Sequence, residues 1–296
     1  MESGVYVLPP SQDAGPSRRL TRCSQVRPAT IFVPQDRTLS PEEHFPLQTI
    51  SAPGRPPFPR FINRFDSREI LLVIDGSCVN NGRHADPQRD PVGGCAFIFK
   101  GSSSSSPPSS TRQPAAGSIA FRLERRGPRG DAAPHTSNRA KLRAVIAALQ
   151  FRAWAGEGWR RVVVLTDLEY IVWGATRWLP RWVARRWRKP PSSPSSSSSR
   201  RGNGGGWRGY GCRGCYRNRD LWEELQARIE ELWAHGCEVS FWLVRGVGQG
   251  GRGGGDGVIA RAKEAARRAA RSGPVEEVEM FTKLCGIMVD CLLVEA

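Results

Sequence analysis

The sequence predicts an α/β fold in which a five-stranded mixed sheet is flanked by helices. Three observations predict it. Residues 70–74 (Ile, Leu, Leu, Val, Ile) and 161–166 are near-continuous aliphatic runs, the pattern of strands buried on both faces. Three strand patterns follow one another before any helix, after which strands and helices alternate, so a meander is extended by parallel strands. The excess of Gly (32) and Pro (23) falls in an N-terminal arm and a few loops, leaving one domain of the 296 residues rather than two.

Residues 1–66 carry eleven prolines by position 60 and little apolar periodicity, and read as a disordered arm whose end docks through Phe58, Phe61, Ile62 and Phe65. The first strand begins at Glu69 and closes at Asp75, before the turn-forming residues 76–82. Residues 94–99 and 118–124 give two further strands, the last alternating as a half-buried strand does. Helical spacing begins at Ser137 and runs through Ala140, Leu142, Val145 and Leu149 toward Gly156. The strand at 161–166 closes at Asp167. A helix over 169–179 is expected to stop before Pro180. An amphipathic helix at 221–233, a strand at 239–244 and a basic, Ala-rich helix from about 256 to 271 complete the domain at residue 273. Low-complexity insertions fall near 101–117, 190–217 and 246–255, and residues 274–296 form an unassigned tail.

Charge narrows the function. The chain has 44 Lys+Arg against 28 Asp+Glu, a formal charge of +16, which favours nucleic acid as partner. Twelve cations and no acid lie between Glu169 and Asp220, interleaved with Trp173, Trp178, Trp182, Trp187, Trp207, Tyr210 and Tyr216. Cations neutralise phosphates and aromatic rings stack on bases; ordinary packing is the competing reading for the tryptophans. No apolar run approaches the roughly 18 residues of a membrane span, and no secretory signal pattern opens the chain. Eight scattered cysteines fit a reducing compartment, nucleus or cytoplasm. Cys212-x-x-Cys215 lacks the second pair that a structural zinc site needs.

Two strands end alike, in Ile74-Asp75 and Thr166-Asp167. Aspartates at the carboxyl ends of neighbouring strands would repel unless a cation neutralises them, and oxygen donors suit Mg²⁺ or Mn²⁺. The alternative is that each merely caps the turn that follows.

The phrases Ile74-Asp75-Gly76-Ser77-Cys78 with Asn80-Asn81-Gly82, Ser137-Asn138-Arg139-Ala140-Lys141-Leu142, Thr166-Asp167-Leu168-Glu169-Tyr170 and Asn218-Arg219-Asp220-Leu221-Trp222 together resemble the ordered motifs of type 1 ribonuclease H, most closely its fungal branch, over residues 68–271. The resemblance implies a ribonuclease H-like fold and a metal-dependent endonuclease that cleaves the RNA strand of RNA–DNA hybrids, expected to act as a monomer. It implies two Mg²⁺ (or Mn²⁺) ions held by carboxylates, here Asp75, Asp167 and Asp256, with Ile259 the alternative residue at the last position. It implies minor-groove contacts from Asn80, Asn81 and Asn138, and a basic protrusion bearing Trp182, Arg185 and Arg186. One departure stands out. Where the family has a catalytic Glu in the first helix, this chain has Lys141, whose ammonium cannot ligate a metal. A weakened two-metal site and impaired cleavage follow, with a catalytically inactive hybrid-binding module as the alternative.

Overall fold

A computed structural model describes residues 26–52, 55–81, 85–101, 117–189, 216–244, 257–271 and 279–284. The central sheet is built from β4 (Glu69–Val79), β5 (Val92–Ile98), β6 (Ser118–Arg122), β7 (Arg161–Thr166) and β8 (Glu238–Leu243), with a sixth strand, β1 (Thr30–Ile31), at its edge. The order is β1-β8-β7-β4-β5-β6. The strands β4, β5 and β6 pair antiparallel, as the three consecutive strand patterns require, while β7 and β8 add in parallel beside β4.

The aliphatic run of β4 is buried because helices cover both faces. Ile70, Leu72 and Ile74 join the apolar cluster that includes α2 (Ser137–Gln150) and α5 (Arg219–Ala234). The intervening Leu71 and Val73 join Trp242, Val258 and Ala262 in the cluster of α6 (Val258–Arg271). Glycines permit the close approaches. A Cβ on Gly76 would lie 2.3 Å from the backbone nitrogen of Lys141, and one on Gly94 would lie 2.2 Å from the carbonyl oxygen of Ala266. Both contacts exclude any larger side chain, so α2 rides directly on β4 and α6 directly on β5.

Four expectations are corrected. The first strand does not close at Asp75: β4 runs on to Val79, with Gly76, Ser77, Cys78 and Val79 paired to Cys95, Gly94, Gly93 and Val92 of β5. The sheet has six strands, not five, because β1 pairs in parallel with β8 through Thr30↔Ser240 and Ile31↔Phe241. The arm expected to be disordered to residue 66 carries, from residue 26 on, β1, α1 (Pro41–His44) and the hairpin of β2 (Leu47–Ala52) and β3 (Arg55–Phe61). Its prolines concealed an aromatic anchor: Phe32, His44 and Phe45 pack about Trp242, with ring centroids 5.2 to 6.0 Å apart. The Glu42 carboxylate also accepts a hydrogen bond from Val258 N–H at the start of α6 (2.9 Å). Finally, the helix begun at Glu169 does not stop before Pro180. It runs through α3 (Glu169–Trp173), a π-helical turn at Gly174–Trp178 and α4 (Leu179–Ala184). The wider turn restarts the hydrogen-bond ladder, placing Pro180 in the first turn of α4, where a missing N–H costs nothing.

In the tail, Glu279 O accepts from Arg126 N–H, and Thr282 O accepts from the buried Arg143 guanidinium (2.6 Å), which also grips Glu124. None of the described helices is long and apolar enough to cross a membrane.

Candidate active site

The parallel register of β4 and β7 pairs Val73 with Leu165. Two residues further along each strand direction come Asp75 and Asp167, so the two aspartates emerge side by side at the carboxyl end of β7, Asp75 within β4 and Asp167 just past Thr166. Gly76 brings α2 against this end, which delivers Lys141. The Lys141 ammonium lies 2.8 Å from Asp75 Oδ1 and 2.5 Å from Asp167 Oδ1. These two carboxylate oxygens therefore lie within about 5.3 Å of each other. From the opposite layer, Lys263 of α6 reaches Asp167 Oδ2 at 2.9 Å. Two aspartates and two lysines thus form one neutral cluster.

Burial pulls the Lys141 ammonium toward neutrality, but the charges of Asp75 and Asp167 and their hydrogen bonds outweigh it and hold its pKa above the ordinary lysine value. Burial likewise works against the Asp167 carboxylate, and the hydrogen bonds and charges of Lys141 and Lys263 overcome it, lowering its pKa. Lys141 is therefore a fixed cation at neutral pH, with no lone pair for a metal.

A pair of divalent ions does not fit these residues. Each of the two carboxylates already carries an ammonium, and no cluster of three or more His, Cys, Asp or Glu residues able to hold a metal occurs among the described residues. Asp256, the third ligand expected from sequence, lies outside the described residues. Ile259 sits one turn before Lys263 on the same helix face and packs into the apolar cluster of α6.

The expected substrate contacts divide. Asn81 and Asn138 are exposed. Asn80 is committed internally: its φ is +55°, its side-chain amide donates to Asp86 O (2.9 Å), and its Oδ1 accepts from Asp86 N–H (2.6 Å). It shapes the loop through Arg89 rather than presenting an open amide. Trp182 is buried, 5.2 Å from the ring of Trp222 and 4.8 Å from that of Tyr216. The packing reading thus holds for Trp182. Trp187 folds back on it through a left-handed turn at Arg186 and Trp187 (φ +50° and +62°), closed by Trp187 N–H to Trp182 O at 2.7 Å. This aromatic base leaves Arg181, Arg185, Arg186, Arg188 and Lys189 exposed.

Two residues that sequence reasoning missed complete the site. Lys263 was hidden in the basic pattern of α6. Arg139, beside Asn138, is buried and grips Asp220 with both arms (3.0 and 2.6 Å), which ties the helix carrying Lys141 to the start of α5. The signal was present: Arg139 and Asp220 each sit inside one of the four motifs.

The chain is similar to known proteins across this framework. The RNase H family profile matches residues 101–235. A ribonuclease H of Treponema pallidum subsp. pallidum is 30% identical over 203 residues, covering 69% of this chain and 94% of that protein. The chain belongs to the ribonuclease H family. A ribonuclease H of Cyanothece sp. is 44% identical over 59 residues, covering 20% of this chain and 36% of that protein. One of Xanthomonas oryzae pv. oryzae is 31% identical over 112 residues, covering 36% of this chain and 58% of that protein. Among solved structures, LC9-RNase H1, described as a type 1 RNase H with the type 2 active-site motif, is 24% identical, with 70% of this chain and 75% of that chain covered and a TM-score of 0.38. Prototype foamy virus protease-reverse transcriptase is 14% identical, with 69% and 21% covered and a TM-score of 0.37. Ribonucleases H use divalent metals as a family; here the Lys141 ammonium lies between Asp75 and Asp167.

Proposed function

We propose that this ribonuclease H family member binds RNA–DNA hybrids in the nucleus or cytoplasm and does not cleave them. The observation that carries this reading is the Lys141 ammonium, bonded to both aspartates that would otherwise face a metal. Cleavage by in-line attack needs a cation to activate the water and to stabilise the leaving oxygen. A protonated lysine offers positive charge but no open coordination position. The binding function rests on the family fold, the exposed arginines after Trp182 and the formal charge of +16.

A second reading keeps weak metal-dependent endonuclease activity on the RNA strand. It is favoured by the retained closeness of Asp75 and Asp167, which a single cation can still span, with Asp256 as a third ligand. An end-labelled RNA–DNA hybrid incubated with the full chain in Mg²⁺ or Mn²⁺ separates the two. Retarded hybrid with an intact RNA strand is the expected result. Metal-dependent RNA fragments, lost with Asp75→Asn, would establish the second reading instead.

A further inference from the structure

The two lysines come from opposite layers of the fold, Lys141 from α2 and Lys263 from α6, and meet at Asp167, just past the carboxyl end of β7. Their approach is fixed by backbone contacts at Gly76 and Gly94 rather than by flexible loops. Two aspartates alone would place two negative charges beneath an incoming phosphodiester. The ammonium groups cancel both.

We infer that Lys141 and Lys263 form a built-in cation seat that receives a backbone phosphate of the hybrid without any divalent ion. This rests on the hybrid-binding function proposed above and specifies its site. Each ammonium carries three donors. In the described contacts, Lys141 directs donors to Asp75 and Asp167, and Lys263 directs one to Asp167. The Lys263 side chain is 31% exposed and that of Lys141 13% exposed, so neither side chain is sealed from solvent. A phosphate oxygen arriving there meets N–H donors. In a cluster holding only the carboxylates it would meet repulsion until a metal entered. The seat thus exchanges metal-dependent chemistry for metal-independent grip.

The test is fluorescence anisotropy of the full chain with a labelled RNA–DNA hybrid, in EDTA and in Mg²⁺ at matched ionic strength. Wild type is expected to show the same Kd, within twofold, in both. Lys141→Ala is expected to bind at least tenfold more weakly in EDTA and to recover in Mg²⁺. Lys263→Gln, at a more exposed position that does not endanger folding, is expected to lose several-fold in affinity and about one unit of the slope of log Kd against log salt, the signature of one phosphate contact. Wild-type binding that needs Mg²⁺, or a Lys263→Gln variant with unchanged affinity and salt slope, overturns the seat while leaving hybrid binding standing. No hybrid binding under any condition overturns the function on which it rests.

Discussion

Replacing Lys141 with Ala removes the ammonium that bridges Asp75 and Asp167 and leaves their charges behind. Asp167 keeps Lys263 at 2.9 Å, so the loss falls mainly on Asp75, whose side chain is only 7% exposed. Breaking a buried ion pair by removing one partner costs about 3–5 kcal/mol, because an uncompensated charge remains. The continued hold of Lys263 on the neighbouring aspartate puts the expectation near the lower end, about 3 kcal/mol. For a domain of this size that corresponds to a fall in Tm of roughly 6–12 °C. A divalent ion should then find the Asp75 carboxylate uncovered beside Asp167; at a concentration 100-fold above its Kd it would restore about 2.7 kcal/mol. The assay is thermal and urea unfolding at pH 7, with and without Mg²⁺ at constant ionic strength. Wild type should show no Mg²⁺-dependent change in Tm, and Lys141→Ala should show a large one. A Lys141→Ala variant as stable as wild type, or a wild type stabilised by several degrees in Mg²⁺, would refute the reasoning.

Other perturbations follow from the same structure. Arg139→Ala abandons the Asp220 carboxylate at the junction of α2 and α5 and should cost about 3–5 kcal/mol in urea unfolding, with Arg139→Lys recovering only part because it cannot bond both oxygens. Trp182→Ala should cost about 3–5 kcal/mol of stability as a core truncation, while Trp182→Phe should keep hybrid affinity within about threefold on the stacking scale, because the ring packs on Trp222 and Tyr216 rather than on bases. His44 is buried among Phe32, Phe45, Phe65 and Trp242, and that burial lowers its pKa, with Arg64 adding to the effect and Glu69 and Asp36 opposing it. The unfolded chain therefore takes up the proton first: this contribution is fully present above the ordinary value of 6.5 and is lost as pH falls from there toward the folded value. Urea unfolding between pH 7 and 5 should show that decline, and His44→Gln should flatten it.

Much of the site was legible because it depends on strand ends and register. The aliphatic runs before Asp75 and Asp167 identify two buried strands, and their parallel pairing sets the aspartates together. Lys141 was legible as a departure from a motif, though its bridging position was not, since that depends on how closely Gly76 lets α2 approach. Lys263 was not legible: one cation among several in an Ala-rich helix gains meaning only when α6 crosses β5 at Gly94. The ordered arm was concealed for a different reason. β1 contributes only Thr30 and Ile31, too short to show periodicity, and Phe32, His44 and Phe45 are held by Trp242, about 200 residues away in sequence. Asn80 had the right residue type in the right motif, yet its amide serves the loop beside it, a choice made by its left-handed backbone and the position of Asp86. Pro180 misled because proline was weighed against an ordinary α-helix rather than one with a π turn just before it.

The most direct measurement is a crystal of the full chain soaked in Mn²⁺, with anomalous diffraction data collected at the manganese edge. The central claim is that the ammonium groups of Lys141 and Lys263, not a metal, neutralise Asp75 and Asp167. The expected map shows the lysine between the two carboxylates and no anomalous peak within bonding distance of either. A manganese ion coordinated by Asp75 and Asp167, with Lys141 turned away, would contradict it.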